Sequence, residues 1–197
     1  MTIYYILNII IVMVNNEIEI KAYIRDFENT LSFLYKNARF KKKYFKKDIY
    51  YAKKDDILND DIKLKNCIRL RVEHGGYTFC SKDRKLIDGV EVNDEIELKV
   101  SKKNARFIIN FLSSLQGYRE YVRKEKKGYA FTYKNSLVEV SKIKGLGDFV
   151  EIEFLNSEES VENQVCQLKA ILKEIGIDEK DIETRAYIDM LKKAKEL

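Results

Sequence analysis

Proline is absent from the chain, so every reversal must come from Gly, Asn or Asp, and only 8 glycines are available. Histidine occurs once, as His74, which excludes any multi-histidine metal centre. Standing directly before Gly75-Gly76, it reads as a turn residue rather than a catalytic one. The 3 cysteines, Cys67, Cys80 and Cys166, are odd in number, far apart and without paired metal spacing. They read as buried thiols in a reducing cytoplasm, with no zinc site. Nor does the chain begin with a membrane span: residues 1–14 are mostly apolar but too few to cross a bilayer, and no Lys or Arg precedes them as a secretory signal requires. No stable membrane insertion is therefore expected. Residues 1–14 read either as an apolar leader or extra strand, or as a mis-assigned start with Met13 as the true initiator. The second is favoured because the organised pattern begins just after it. Residues 15–197 then form a single domain, with no linker long enough to divide it.

A large excess of one charge sign is also missing. Lys and Arg number 37 against 32 Asp and Glu, a net charge of +5, so charges are abundant but nearly balanced. A simple nucleic-acid coat is not implied, and the placement of the charges becomes the question. With 45% hydrophobic residues over 197 positions, the chain can bury a sizeable core.

The placement is periodic. In Glu17-Ile18-Glu19-Ile20-Lys21-Ala22-Tyr23 the alternation has period two, the signature of a strand. Glu17, Glu19 and Lys21 share one face, and Ile18, Ile20 and Ala22 the other. The design recurs in Arg69, Arg71 and Glu73 opposite Ile68, Leu70 and Val72, and in Glu95, Glu97 and Lys99 opposite Ile96, Leu98 and Val100. Lys124 and Lys126 share a face within residues 118–126, and Glu151 and Glu153 lie opposite Val150, Ile152 and Phe154. Between these stretches, Asp26 is expected to cap a helix over residues 27–38. Residues 39–47 interleave five lysines with Phe40, Tyr44 and Phe45. That pattern can bind nucleic acid, but it reads first as a solvated connection to a short strand over 48–52. Residues 55–61 read as an acidic turn, and Gly75-Gly76 as the turn into a strand over 77–82. A helix over 102–115 is ended by Gly117. Gly128 reads as a break before a hairpin of 129–133 and 137–143, and helices over 161–175 and 178–195 finish the chain.

At least five strands thus back an apolar face with a row of ionisable groups. Turned outward, the rows are the solvated side of an ordinary sheet. Turned inward, they line the lumen of a closed antiparallel barrel with helices on its outside. Such a lumen is costly in desolvation unless its charges are paired or hold ligand and metal. Carboxylates gather a divalent cation, Lys and Arg cradle a polyanion, and a triphosphate needs both.

Glu17-Ile18-Glu19-Ile20-Lys21 resembles the ExExK signature of the CYTH superfamily, named for class IV adenylyl cyclases and thiamine triphosphatases. The resemblance continues through Lys47-Asp48-Ile49-Tyr50, Ile68-Arg69-Leu70-Arg71, Lys82 and Lys124-Glu125-Lys126. It extends over Gly145-Leu146-Gly147-Asp148-Phe149-Val150-Glu151-Ile152-Glu153 and Thr184-Arg185-Ala186-Tyr187-Ile188-Asp189-Met190-Leu191. Those last two stretches are more similar to the class IV cyclase branch than to the animal thiamine triphosphatases. The resemblance implies an α+β triphosphate tunnel fold, a closed antiparallel eight-stranded β-barrel with helices packed outside. It implies Glu17, Glu19, Glu151 and Glu153 around one or two Mg²⁺ or Mn²⁺ ions, and Lys21, Arg69, Arg71, Lys82, Lys124 and Lys126 on the triphosphate. Glu17, Glu19 and Lys21 take the catalytic roles, and Glu95 and Glu97 order the bases from a second tier. Three positions depart from the family pattern: Ser141 stands where an aspartate is common, and Asn93 and Lys126 stand where many relatives carry arginine.

The implied activity is metal-dependent processing of a triphosphate, first as a cyclase converting ATP to cyclic AMP and pyrophosphate. The alternative is an inorganic or thiamine triphosphatase that hydrolyses the terminal phosphate. An alternative of another class is a noncatalytic polyphosphate or nucleic-acid binder. The expected partners are a nucleoside or inorganic triphosphate and, from similar proteins, a second copy of the chain in a homodimer. No nucleic-acid partner is expected.

Overall fold

Each alternating stretch forms a strand, and most strands run beyond their charged centres. The computed structural model describes residues 11–155 and 159–195. Among these are eight strands: β1 (Ile11–Tyr23), β2 (Arg39–Lys53), β3 (Ile68–Glu73), β4 (Gly76–Ile87), β5 (Val90–Val100), β6 (Tyr118–Tyr133), β7 (Ser136–Ile143) and β8 (Gly147–Leu155). They close in the order β1-β5-β4-β3-β2-β6-β7-β8, antiparallel throughout, so β8 pairs back onto β1 and no sheet edge is left open. Strand β1 starts at Ile11, with Met13 opposite Glu97. The rest of the expected leader, residues 1–10, lies outside the described residues.

The described helices, α1 (Phe27–Asn37), α2 (Lys54–Leu58), α3 (Lys102–Leu115), α4 (Val161–Glu174) and α5 (Tyr187–Lys195), pack around the barrel. Three begin on side-chain caps, the expected Asp26 and two serines. Asp26 accepts from the Asn29 amide at 3.0 Å, Ser101 from Asn104 at 3.2 Å and Ser160 from Asn163 at 3.3 Å. The apolar faces of the strands point outward to meet these helices. Ile18, Ile20 and Ala22 of β1 join Val150 and Ile152 of β8, Leu34 of α1, and Leu168, Ile171 and Leu172 of α4 in the largest apolar cluster. Across the barrel, Ala105 of α3 covers Leu70, Phe79 and Val100. The hydrophobic core is therefore a shell, and the charged rows have only the lumen to enter.

The structure corrects several local expectations. Residues 39–47 are no connection: they form one strand with 48–53, because Tyr44, Lys46, Asp48 and Tyr50 keep a strict inward alternation. Gly128 does not break β6. A Cβ there would lie 2.2 Å from the Val140 carbonyl oxygen, so this glycine permits close approach of β6 to β7, and the hairpin turns where expected, at Lys134 and Asn135, both with positive φ. Residues 54–58 form helix α2 rather than a turn. The last expected helix begins only at Tyr187. Before it, the chain runs beside β1, with Ala22 bridged to Ile182 and the Glu183 amide donating to the Lys21 carbonyl at 2.8 Å. Cys67 and Cys80 are buried, but Cys166 is exposed. His74 occupies a left-handed turn with Gly75, at φ 47° and 79°. No described helix is long and apolar enough to cross a membrane.

Candidate functional site

The inward rows of β1 to β8 converge on one cavity of about 280 Å³. Glu17, Glu19, Lys21, Arg69, Arg71, Lys82, Lys124, Lys126, Glu151 and Glu153 all line it. Glu95 and Glu97 of the second tier line it too, whereas Glu73 and Lys99 of the same alternating rows, and Asn93 and Ser141, are not among its lining residues. One end is filled by aromatic rings: Tyr187, at the start of α5, packs edge-on against Phe149 at 5.3 Å, and Phe149 lies 4.5 Å from Tyr23. Lys21 and Lys124 sit above the Tyr187 ring at 4.6 and 4.4 Å, and the Lys21 ammonium donates to the Arg185 carbonyl at 2.5 Å. The segment ahead of α5 thereby fixes the floor of the cavity and the position of Lys21.

The cavity has two electrostatic sides. On the β2, β3 and β6 side, Asp48 is fully buried between Arg71, which grips it with two bonds at 2.8 and 3.0 Å, and Lys124 at 3.1 Å. Although burial favours its neutral form, Arg71 and Lys124 hold the Asp48 carboxyl well below the usual range. Glu139 plays the same part for Lys46 at 2.6 Å and Lys126 at 2.7 Å. Lys126 also contacts Glu151. Burial, together with the positive charge of Lys126, pushes Lys46 down to about 8.

The β1, β5 and β8 side is acidic. Cross-strand register places Glu19 directly opposite Glu153 of β8 and directly opposite Glu91 of β5, giving a row of three carboxylates over three strands. Oxygens of Glu17, Glu19 and Glu153 lie within 4.8 Å of one another. Burial and the charges of Glu95 and Glu19 push Glu17 up to about 8. Burial and the charges of Glu17 and Glu19 do the same to Glu153. Burial would raise Glu19 as well, but Lys82 at 2.8 Å and the hydrogen bond to Glu91 carry it below the usual carboxylate range. Lys82 spans the boundary, reaching Glu95 at 3.0 Å, while Arg69 lies 3.4 Å from Glu95 and 3.8 Å from Glu97. The Glu17, Glu19 and Glu153 trio fits a hard divalent cation, since its donors are all carboxylate oxygens and its repulsion needs a positive charge between them. Glu151, expected with them, lies one cross-strand pair along, opposite Lys21 and engaged by Lys126.

Four site residues have no role in the sequence reading. Asp48 stands in the Lys47-Asp48-Ile49-Tyr50 stretch of the resemblance and Lys46 in the lysine-rich run, but a strand begun at residue 48 does not show that the two share an inward face. Glu139 lies two positions before Ser141 on the same strand face, so extending the alternation backwards would have found it. It supplies a carboxylate on β7, while Ser141 is buried with its hydroxyl unpartnered. Glu91 accepts from Lys21 at 3.3 Å and forms an ion pair with Arg84 at 3.1 Å. It is Glu19's neighbour on β5, which only the register reveals. Asn93 donates to Glu19 at 3.4 Å, in the place where an arginine is common in relatives.

Among solved structures, the chain resembles a conserved hypothetical protein of Pyrococcus furiosus at 25% identity and TM-score 0.71, covering 88% of this chain and 98% of that one. A candidate adenylate cyclase of Vibrio parahaemolyticus has the same fold at 17% identity and TM-score 0.72, with 89% and 97% covered. So does a candidate adenylyl cyclase of Hippeastrum with a dominant triphosphatase activity, at 15% identity and TM-score 0.63, with 91% and 95% covered. No curated protein sequence matches the chain significantly. The sequence model of the CYTH domain matches residues 15–187, a span that begins just before the first charged row and ends at the tyrosine flooring the cavity. On that match, and with its closed barrel of inward charges, the chain belongs to the CYTH domain family.

Proposed function

We propose that this protein is a metal-dependent enzyme that draws the polyphosphate chain of a triphosphate into the barrel and hydrolyses its terminal phosphate. One observation carries the reading: the carboxylate trio Glu17, Glu19 and Glu153 shares a cavity with Lys21, Arg69, Arg71, Lys82, Lys124 and Lys126. Mg²⁺ or Mn²⁺ held by the trio, with Glu151 beside it, would offset charge on the phosphate oxygens. The cations opposite bind and align the chain, and the arginine forks suit paired phosphate oxygens. Lys21, set by Glu91 and the Arg185 carbonyl, fixes one end of it. Closure by Tyr187 and Phe149 keeps that end dry, which strengthens every charge interaction there. In the reaction, a water oxygen bonds to the terminal phosphorus as the bridging P–O bond breaks, releasing orthophosphate and the shortened chain.

Hydrolysis is favoured because charged side chains make up most of the cavity lining and match phosphate oxygens, while its apolar part, Leu64, Ala130, Leu137, Ala186 and Ile188, is the smaller. Cyclisation of ATP is the second reading, supported by the similarity of the Gly145 to Glu153 and Thr184 to Leu191 stretches to the class IV cyclase branch. Incubation with tripolyphosphate, thiamine triphosphate and ATP separately, with Mg²⁺ or Mn²⁺, tests both. Orthophosphate, formed only with metal and lost in Glu19→Gln, is the expected product. Cyclic AMP with pyrophosphate from ATP would replace it with the cyclase reading. Absence of metal-dependent turnover on all three would refute the enzyme.

A further inference from the structure

The lysine-rich start of β2 sends only part of its side chains into the lumen. Lys46 enters the barrel, whereas Lys43, Phe45 and Lys47 remain on its outer wall, where β6 brings Tyr129 opposite Lys43 and Lys127 opposite Phe45. Lys43 Nζ lies 5.6 Å from the centre of the Tyr129 ring, and Lys47 Nζ 5.4 Å from that of Phe45. The aromatic surface continues through Tyr35 of α1, 6.2 Å from Tyr129 and 5.7 Å from Phe40. Tyr35, Phe40 and Phe45 are 52%, 44% and 45% exposed. Tyr35 and Phe40 each pack edge-to-face with the buried Phe131, at 5.1 and 5.6 Å, yet these two rings and Phe45 keep about half of their surface in water on one wall. On the same strand, Lys41 and Lys42 line the cavity, so the wall and the cavity adjoin.

We propose that the outer wall of β2 and β6 binds single-stranded nucleic acid, with bases stacked on Phe45, Phe40 and Tyr35 and phosphates held by Lys43, Lys47 and Lys127. Rings and ammonium groups alternate along the wall, and a single strand likewise alternates bases with phosphates. A membrane-binding surface segregates them instead, with an apolar face and a charged fringe. Glu125, opposite Lys47 on β6, is shared by Lys47 at 3.5 Å and Lys144 at 3.8 Å, whereas Lys43 and Lys127 have no ion pair among the described residues and give the wall its sign. The inference uses no lumen residue and stands apart from the triphosphate reading.

The test is fluorescence anisotropy of the full chain with a short oligouridylate that has a 5′-hydroxyl, and so no triphosphate for the lumen. Three phosphate contacts on a single strand predict that affinity falls about 20-fold between about 50 and about 200 mM salt. Lys43→Ala should reduce the log–log salt slope by about 0.7, and Phe45→Ala should weaken binding about tenfold with the slope unchanged. Tripolyphosphate in excess should not displace the oligonucleotide, and both variants should keep wild-type tripolyphosphate turnover. No saturable binding at the lower salt overturns the proposal. So does displacement by tripolyphosphate, which would place the oligonucleotide in the lumen. Preferential, Phe45-dependent binding to phosphatidylserine vesicles overturns it in favour of a membrane surface. Should Phe45→Ala melt early, Phe40→Ser provides the ring test at a second exposed position.

Discussion

The two sides of the lumen contain the same kinds of group but solve their electrostatics differently. On the β2, β3 and β6 side, Asp48 and Glu139 each satisfy two cations at hydrogen-bonding distance, so the basic groups are held in place before any substrate arrives. On the β1, β5 and β8 side, Glu17 and Glu153 have no ion pair among the described residues, and both are pushed up to about 8. Like charges directly opposite on neighbouring strands oppose pairing, yet Glu19 and Glu153 stand in that relation. One side is a preorganised anion cradle; the other is complete only with a cation. The two should therefore fail differently when cut.

Removing Glu19 should have the largest effect, because it takes a donor from the middle of the carboxylate row and leaves Lys82 to Glu95 and Glu91. Glu19→Gln is expected to lower kcat by about 10²–10³-fold with little change in KM, as loss of a group acting on the transition-state charge does. A change in the cradle should instead appear in KM. Arg71→Lys keeps the charge but loses the fork that grips Asp48, so KM should rise about tenfold while kcat stays within about threefold. Steady-state kinetics on tripolyphosphate separates the cases. If Arg71→Lys lowered kcat as Glu19→Gln does, the division of labour would be wrong.

The sequence carried the acidic side more fully than the basic one, for a physical reason. Glu17, Glu19, Glu151 and Glu153 stand in stretches where the residues between and after them are Ile or Phe, so the alternation is clear. Asp48 and Lys46 lie in a stretch where Lys, Tyr and Phe fall on both faces, and long lysine stems tolerate either side of a wall, so period two is blurred. Closure and register were beyond any local pattern. That Glu91 and Glu153 flank Glu19 depends on which strands pair and in what phase, set by turns elsewhere. Gly128 shows the limit from the other direction: a glycine in an alternating stretch signals a turn or a close approach, and only the neighbouring strand decides between them.

The unsatisfied acidic side should also be visible in stability. In the metal-free protein Glu17 and Glu153 hold protons up to about pH 8, whereas unfolded they release them near the ordinary glutamate value. Between those limits the folded state binds more protons than the unfolded one, so stability falls as pH rises. With chelator present, Tm is expected to drop by about 5 °C between pH 6 and pH 9. Mg²⁺ or Mn²⁺ should restore most of it at the upper pH, by giving the carboxylates the charge they lack. A Tm that rises with pH in chelator would mean that the acidic side is already satisfied.

The smallest and sharpest contrast lies within one strand. Glu151 and Glu153 both point into the lumen from β8. Register places Glu153 against Glu19, but it places Glu151 against Lys21, within reach of Lys126. If the cation belongs to the trio, Glu153→Gln removes a ligand and should weaken Mn²⁺ binding about 10- to 100-fold. Glu151→Gln removes a partner of Lys126, whose other partner Glu139 remains, and should weaken Mn²⁺ binding less than about threefold while changing tripolyphosphate affinity. Calorimetric Mn²⁺ titration of both variants, without substrate, reads the difference directly. Equal losses would move the boundary between the two sides by one residue pair, putting Glu151 with the metal and leaving Lys126 to Glu139 alone.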